Sequence, residues 1–243
     1  MSEWITGRNP VYEVLRGHRR QSERLWIAQG AQEQGRLAEI INLARSENVA
    51  IKYVNRHDLD GIDPHHQGLA LNTSGYPYSD LETIIKRAQN QAQPIFVLLL
   101  DQIQDPQNLG TLFRSAEAFG VHGVIIPTAR SASVTPAVVN ASSGATEMLH
   151  IAQHNIAQAM DRLKEVGGWM VGLEDSPEAL PPYQINLKGG IGLVIGNEAQ
   201  GLRRLVKEKC DLIMRIPMQG QIDSLNAAVA GSIALYLARQ ARE

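Results

Sequence analysis

Three short polar segments of the chain each follow a predicted strand. The first is Asn-x-Gly-x-x-x-Arg at residues 108–114, and the second is Ile-Gly-x-Glu-x-x-Gly at 195–201. The third runs from Ile-Pro-Met at 216–218 to Ser-Leu-Asn at 224–226. Together they supply a guanidinium, a carboxylate, a hydroxyl and side-chain amides. In open α/β sheets ligands bind at the carboxyl ends of the strands, so the segments predict a ligand site there.

Each segment alone also has a purely structural interpretation. Asn108 and Arg114 fall in the first two turns of a predicted helix, where an exposed arginine is common. Gly110 costs such a helix stability relative to alanine, which indicates close backbone packing. Glu198 fits an ordinary strand-to-helix turn, and Ser224 fits the N-cap of a last helix. The functional interpretation therefore depends on the three segments together.

Two glycine patterns near the second segment imitate nucleotide-binding loops. The glycines at 190, 192 and 196 precede or end a strand, whereas a dinucleotide fingerprint follows its strand and opens a helix. Gly196 and Gly201 have the spacing of a phosphate loop, but Leu202 and Arg203 stand where Lys and Ser or Thr must follow. A Rossmann dehydrogenase and a P-loop NTPase are both disfavoured.

Alternating strands and helices must position these segments. Apolar runs predict strands at residues 95–101, 123–127, 169–173, 192–196 and 212–217. Asp105 and Pro106 begin a helix that ends near Phe119, and a last helix spans about 225–239. Strands that are apolar throughout are typical of a parallel sheet covered on both faces. The predicted fold class is α/β with a parallel sheet.

The chain is predicted to divide into two domains. Residues 1–72 form a small α/β domain, and turn-forming residues then begin a linker with a short helix at 73–92. Residues 93–243 form the larger domain, which contains all three polar segments.

The composition is that of an ordinary globular protein, with 243 residues, 44% hydrophobic and 20% charged. The net charge of −2 argues against a nonspecific polyanion binder, although a basic stretch at residues 16–24 could form a local RNA-binding patch. The longest apolar run, at 95–100, is too short for a bilayer, and no secretory signal is apparent. A cytoplasmic location is expected. One cysteine and the pair His150 and His154 offer no complete metal site, so no metal is expected.

In this order and spacing, the three segments resemble the motifs of the SPOUT methyltransferases of the TrmH-like branch, which methylate ribose in tRNA and rRNA. The resemblance extends from about residue 95 to the end. Residues 7–15 and 66–68 resemble the small RNA-binding domain of bacterial 23S rRNA guanosine-2′-O-methyltransferases, a domain that tRNA members usually lack. One departure is Ala-Ala-Val-Ala at 227–230, where many members have Val-Ser-Val-Ala; these helix positions lie behind the site.

The resemblance implies a fold, a cofactor and a set of site residues. The C-terminal segment would form a deep trefoil knot, and the site of a homodimer would use both subunits. The implied cofactor is S-adenosylmethionine, whose sulfonium is already a good methyl donor and needs no metal. The residues implied to hold it are Gly196, Ile216, Met218 and Leu225. Those implied for catalysis are Asn108, Arg114, Glu198, Ser224 and Asn226.

The family's candidate for activating the ribose hydroxyl is Arg114. A guanidinium is effectively always protonated in proteins, so we expect it to clamp the adjacent phosphate rather than act as a base. Asn108 and Asn226 would orient Arg114 and the substrate. Glu198 would pair with a cation or fix its loop, and Ser224 would hold the hydroxyl or the phosphate.

The RNA is expected to be gripped by Arg8, Arg19 and Arg20, and the expected substrate is a guanosine of large-subunit 23S rRNA. A tRNA target, an adenosine elsewhere in rRNA, and a noncatalytic ribosome-assembly factor of the same fold remain alternatives. Retention of all five catalytic candidates favours an enzyme over the last of these.

Overall fold

The structure, a computed structural model, describes residues 2–129, 132–198, 200–221 and 224–243. Its contacts divide the chain into two units. The first consists of Met1–Pro77 together with Ser133–Met148, and the second of Tyr78–Ala132 together with Leu149–Glu243. None of the helices in these described ranges is long and apolar enough to cross a membrane.

The first unit is a four-stranded sheet with helices packed against it, within the described residues. Its elements are β1 (Ser2–Thr6), α1 (Arg8–Gly17), β2 (Ser22–Ala28), α2 (Arg36–Ser46), β3 (Ala50–Val54), α3 (Arg56–Asp60), β4 (Leu69–Ser74), α6 (Pro136–Ala141) and a 3-10 helix (Ala145–Met148). The strand order is β1-β4-β2-β3; β4 is antiparallel to β1 and β2, and β2 is parallel to β3. Apolar side chains three or four residues apart bury one face of α1 and of α2.

The second unit is a parallel sheet of six strands in the described part of the chain. Its elements are α4 (Leu81–Asn90), β5 (Phe96–Asp101), α5 (Pro106–Ala118), β6 (Gly123–Ile126), β7 (Ile151–Gln153), α7 (Ile156–Glu165), β8 (Gly168–Leu173), a 3-10 helix (Pro182–Gln184), β9 (Gly190–Gly196), α8 (Arg204–Lys209), β10 (Leu212–Met214) and α9 (Ala227–Gln240). The order is β10-β8-β9-β5-β6-β7. Every residue of the central strand β5 is buried, as its unbroken apolar sequence predicts.

The predicted fold class, a mixed α/β chain with a parallel sheet, is confirmed. The Asp105 side chain caps α5 as predicted, because it accepts a hydrogen bond from the Gln107 amide at 3.1 Å. The predicted cap of the last helix is wrong: Asn226, not Ser224, lies at the N-cap of α9 and accepts from the amides of Ala228 and Val229.

The division into units differs from the predicted bounds at two places. The first unit continues to Pro77, beyond the predicted end at residue 72. Residues 133–148 follow β6 in sequence, yet they belong to the first unit. The two segments approach each other closely. A Cβ added at Gly144 would lie 2.6 Å from the Cβ of Glu13, and one added at Gly17 would lie 3.2 Å from the carbonyl oxygen of Glu147. The local sequence of the helix Pro136–Ala141 carries no information on which sheet that helix covers.

A buried ion pair holds this returning segment. Nε and Nη2 of Arg20 donate to the two carboxylate oxygens of Glu147 at 3.2 and 2.9 Å, and both side chains are fully buried. Nη1 of Arg20 also donates to Glu3 at 3.0 Å. Arg19 donates to the Tyr76 hydroxyl and to the Pro77 carbonyl. The RNA-gripping role predicted for Arg20 is therefore wrong, since a buried guanidinium cannot reach a phosphate, and the contacts of Arg19 do not support that role either.

We predict that Arg20→Ala lowers the free energy of unfolding by about 3–5 kcal/mol, because it leaves the Glu147 carboxylate buried without a counter-charge. Urea denaturation followed by circular dichroism measures the change. The matched control is Arg16→Ala, whose side chain is 51% exposed and pairs with Glu13; its cost should be about 0.5 kcal/mol or less. Equal costs for the two variants would contradict the structural role of Arg20.

Candidate active site

A pocket lies at the carboxyl edge of the second sheet. β10, β8 and β9 are neighbouring parallel strands, so the loops that follow them meet at one edge. These loops and the start of α9 supply the described lining residues, which are Leu173, Glu174, Asp175, Ile195, Gly196, Asn197, Glu198, Gly201, Met214, Arg215, Ile216, Met218, Ser224, Leu225, Ala227 and Ala230.

Six residues predicted for the site line this pocket. They are Gly196, Ile216, Met218 and Leu225, which were expected to hold a cofactor, and the catalytic candidates Glu198 and Ser224. The walls are mainly apolar, with a few charged groups at their edges. Such a lining is typical of small-molecule sites. Ala199 of the second segment and Ile222 and Asp223 of the third lie outside the described residues.

Gly196, the last residue of β9, shapes one wall. A Cβ at this position would lie 2.3 Å from the carbonyl carbon of Gly201, so no side chain fits. Asn197 and Gly201 exchange two backbone hydrogen bonds, of 3.1 and 2.8 Å, and Gly201 has a positive φ of 66°. The loop therefore folds back against the strand end, as a glycine at both positions permits.

Two carboxylates anchor this loop from neighbouring strands. Asp101, the fully buried end of β5, accepts hydrogen bonds from the backbone amide and Nε of Arg203 at 3.0 and 2.7 Å. Glu174, just after β8, accepts from the Leu202 amide at 3.3 Å and pairs with Lys207. Hydrogen bonds to Glu174 and Glu178 raise the pKa of Lys207 above its ordinary value, which shows that both carboxylates stabilise its charged form. The wall of the pocket is thus held on both sides of β9.

A chain of hydrogen bonds links the three polar segments. Nδ2 of Asn108 donates to the Glu198 carboxylate, and Nδ2 of Asn226 donates to Oδ1 of Asn108 at 2.9 Å. Oδ1 of Asn226 accepts from the backbone amides of Ala228 and Val229 at 2.9 and 3.2 Å. Because a carboxylate and a helix N-terminus stand at the two ends, each amide has one consistent orientation.

Arg114, also predicted for the site, lies on α5 with Asn108. It is exposed on α5 and is not among the described residues that line the pocket. Six residues separate it from Asn108, which places the two side chains about 120° apart around the helix axis. Arg8 lies in the first unit, at the start of α1, where it lines a different cavity.

Sequence reasoning missed Glu174 and Asp175, both of which line the pocket, and the anchoring role of Asp101. For Glu174 and Asp175, the sequence did contain a signal. They follow the predicted strand at 169–173 directly, as the other polar segments follow theirs. Asp101 was taken only as the end of an apolar strand, and its partner Arg203 lies far away in sequence.

Comparisons with known proteins agree with this architecture. Residues 95–236 match the model of the SpoU rRNA Methylase family, and residues 4–79 match a model described as RNA 2′-O ribose methyltransferase substrate binding. The putative TrmH family tRNA/rRNA methyltransferase YacO of Bacillus subtilis is 37% identical over 238 residues, covering 96% of this chain and 94% of YacO.

Two solved structures share the fold over different lengths. The SpoU methyltransferase AviRb from Streptomyces viridochromogenes, in complex with the cofactor AdoMet, superposes with a TM-score of 0.82 at 24% identity, covering 99% of this chain and 90% of AviRb. The A. aeolicus TrmH/SpoU tRNA modifying enzyme has a TM-score of 0.56 at 26% identity, covering 67% of this chain and 84% of that enzyme.

The parallel sheet, the pocket at its carboxyl edge and these matches define the class of the protein, which is an RNA methyltransferase. The chain belongs to the SpoU rRNA Methylase family.

We predict that two substitutions at Asn226 separate its cap from its place in the hydrogen-bond chain. Asn226→Ala loses the cap of α9 and should cost about 1 kcal/mol of unfolding free energy. Asn226→Asp keeps a good cap and most of the stability, but cannot donate to Oδ1 of Asn108. Both variants should lose methyl transfer to RNA, as measured with a radiolabelled methyl donor.

Asn155→Ala is the matched control, because Asn155 caps α7 in the same unit through one hydrogen bond to the Gln158 amide. It should show a similar stability cost with unchanged methyl transfer. Wild-type transfer by Asn226→Asp would show that the contact with Asn108 has no part in the reaction.

Proposed function

We propose that the chain methylates the 2′-hydroxyl of a ribose in RNA, with S-adenosylmethionine as the methyl donor and a guanosine of 23S rRNA as the target. The observation that carries the proposal is the pocket at the ends of β8, β9 and β10, which all three polar segments build or support. The ribose position is supported by the substrate-binding model that residues 4–79 match.

The lining of the pocket suits the proposed cofactor in polarity and charge. Its apolar walls, including Ile216, Met218 and Leu225, suit an adenine and a methylthio group. Among its described lining residues, three carry a carboxylate and only Arg215 carries a positive charge, a balance that favours a cationic ligand. Bound there, S-adenosylmethionine would supply an electrophilic methyl group on a sulfonium. AviRb, which has the same fold, was solved with this cofactor.

The proposed roles of the polar residues follow from their contacts. Glu198 fixes the orientation of the Asn108 amide, and Asn108 in turn fixes that of Asn226. Ser224, exposed at the pocket, offers a hydroxyl that can hold the ribose or its phosphate. An in-line transfer to a weak nucleophile depends mainly on such positioning and on removal of the proton.

Arg114 is proposed to clamp the phosphate next to the target ribose, which stabilises the developing alkoxide. Because Arg114 is not among the described lining residues of its own chain, we propose that it serves the pocket of a second copy in a homodimer. The outer face of α9 supports a dimer, since Val229 and Tyr236 are 47% and 51% exposed and stand close to the pocket residue Leu225 in sequence. The deep trefoil knot of the C-terminal segment likewise remains a prediction from the family resemblance.

The choice of rRNA over tRNA rests on the first unit. The A. aeolicus tRNA modifying enzyme aligns with 67% of this chain, whereas a solved rRNA methyltransferase from Sinorhizobium meliloti aligns with 98%. The guanosine target rests on the likeness of residues 7–15 and 66–68 to the bacterial 23S rRNA enzymes.

We predict that Arg114→Ala lowers methyl transfer at least about 100-fold while the affinity for S-adenosylmethionine stays within about twofold, because the guanidinium acts on the RNA phosphate. Isothermal titration calorimetry and transfer of labelled methyl groups provide the two measurements. Arg204→Ala, whose side chain is 92% exposed on α8, is the control and should leave both unchanged. Near-normal transfer by Arg114→Ala would refute the assignment.

Mixing two inactive variants tests the role of the second copy. Arg114→Ala retains an intact pocket, and Gly196→Ala retains Arg114 but displaces the pocket wall. If each site uses Arg114 from the other copy, half of the randomly exchanged dimers regain one of their two sites, which restores roughly a quarter of the wild-type activity. A mixture as inactive as its components would place Arg114 and the pocket in the same chain.

The substrate assignment predicts one new ribose methylation in unmodified 23S rRNA, at a guanosine, after incubation with the protein and S-adenosylmethionine. Mass-spectrometric mapping of 23S rRNA and of unmodified tRNA in parallel locates the product. Methylation of tRNA alone would replace the proposed target, and absence of product from both, with normal cofactor binding, would favour a noncatalytic RNA-binding factor.

A further inference from the structure

A second cavity lies in the first unit, at one edge of its sheet. β1, β2 and β3 end at this edge, and β4, which is antiparallel to β1 and β2, begins there. The loops at this edge therefore bring together residues from distant parts of the sequence. Arg8 follows β1, Gln29 and Gly30 follow β2, Arg56 follows β3, and Gln67 and Gly68 precede β4.

The chemistry of this cavity differs from that of the methyltransferase pocket. Among its described lining residues, two are arginines, two are glutamines and none is acidic. Its volume of about 520 Å³ falls within the range of about 300–1,000 Å³ that is usual for pockets that enclose small organic ligands. A phosphate ion alone would leave most of this space unfilled, whereas a nucleotide would use it.

Hydrogen bonds within the unit fix the cavity wall. The Gln67 side chain accepts from the Arg8 backbone amide at 2.9 Å, and the Gly68 carbonyl accepts from the Ala28 amide at 2.9 Å. Buried His66 accepts from the Gly68 amide at 2.8 Å through Nδ1, and its Nε2 contacts Asp60 at 3.1 Å. These contacts fix the backbone at Arg8 and at Gly68, so this part of the cavity wall is preorganised.

We infer that this cavity binds a nucleotide of the substrate RNA through its phosphate, with the guanidiniums of Arg8 and Arg56 as the anion-binding groups. Guanidinium forks match phosphate oxygens geometrically, and the side-chain amides of Gln29 and Gln67 can hydrogen-bond the sugar or a base edge. The inference rests on the proposed function and gives it a second RNA contact. It keeps Arg8, which was predicted to contact RNA, and adds Arg56 in place of Arg19 and Arg20 of the basic stretch.

The test compares Arg8→Gln, Arg56→Gln and the double variant with Arg45→Gln, which removes an exposed arginine from α2 of the same unit. The probe is a full-length unmodified 23S rRNA transcript, and filter binding is measured over a series of KCl concentrations. Each cavity variant should weaken RNA binding about tenfold and lower the slope of log affinity against log salt by about 1. Arg45→Gln should change neither.

Three further measurements distinguish the possible causes. S-adenosylmethionine affinity and circular dichroism should be unchanged in the double variant, and its methyl transfer should show a raised KM with unchanged kcat. Wild-type RNA affinity and salt slope in the double variant would overturn the inference, as would a loss of RNA binding that Arg45→Gln reproduces. Competition by guanosine monophosphate at the affinity of the transcript would also overturn it, since the cavity would then bind free nucleotides. If the protein did not methylate RNA as proposed, but the cavity variants still weakened RNA binding as expected, only the enzymatic assignment would be overturned.

Discussion

The contact between Gly196 and Gly201 is the constraint on which the pocket depends. With a carbonyl carbon 2.3 Å from the position of a Cβ, the end of β9 and its following loop can approach only as bare backbones. This approach brings Glu198 within hydrogen-bonding distance of Asn108 on α5, and it directs the Leu202 amide to Glu174 beside β8. A methyl group at Gly196 would therefore disturb the contacts with Asn108 and Glu174 as well as one wall of the pocket.

The parallel order of the sheet allows a few residues from each loop to build the pocket. Because β10, β8, β9 and β5 are consecutive neighbours, their carboxyl ends place four loops side by side, and each loop needs to contribute only a few groups. The apolar groups face the pocket, while the carboxylates of Asp101 and Glu174 hold the chain in place through Arg203 and Lys207. Glu174 also lines the pocket, so it contributes to both the binding surface and its support, whereas Asp101 supports the loop through Arg203.

Local patterns predicted what depends on local sequence. The apolar run of β5, the Asp105 cap and the three polar segments were all recognisable, and so was the α/β class. Pairings between residues that are far apart in sequence were not recognisable from local patterns. Arg20 belongs to a basic stretch in sequence but is buried against Glu147, 127 positions away, and Asn226 takes the cap that Ser224 appeared to offer. No window of the sequence shows which strand end a loop residue will meet, so the supporting carboxylates were found only in the structure.

The return of residues 133–148 to the first unit means that the two units are interleaved along the chain. The N-terminal 77 residues leave the ribosome first, yet the guanidinium of Arg20 has no Glu147 to pair with until strands of the second unit have already been synthesised. The substrate-binding unit is therefore not a detachable module. Transfer of only residues 1–77 to another enzyme would leave the buried Arg20 without Glu147, so that Glu3 would have to balance its charge. The RNA-binding unit can therefore be transferred complete only together with residues 133–148, which lie within the sequence of the methyltransferase unit.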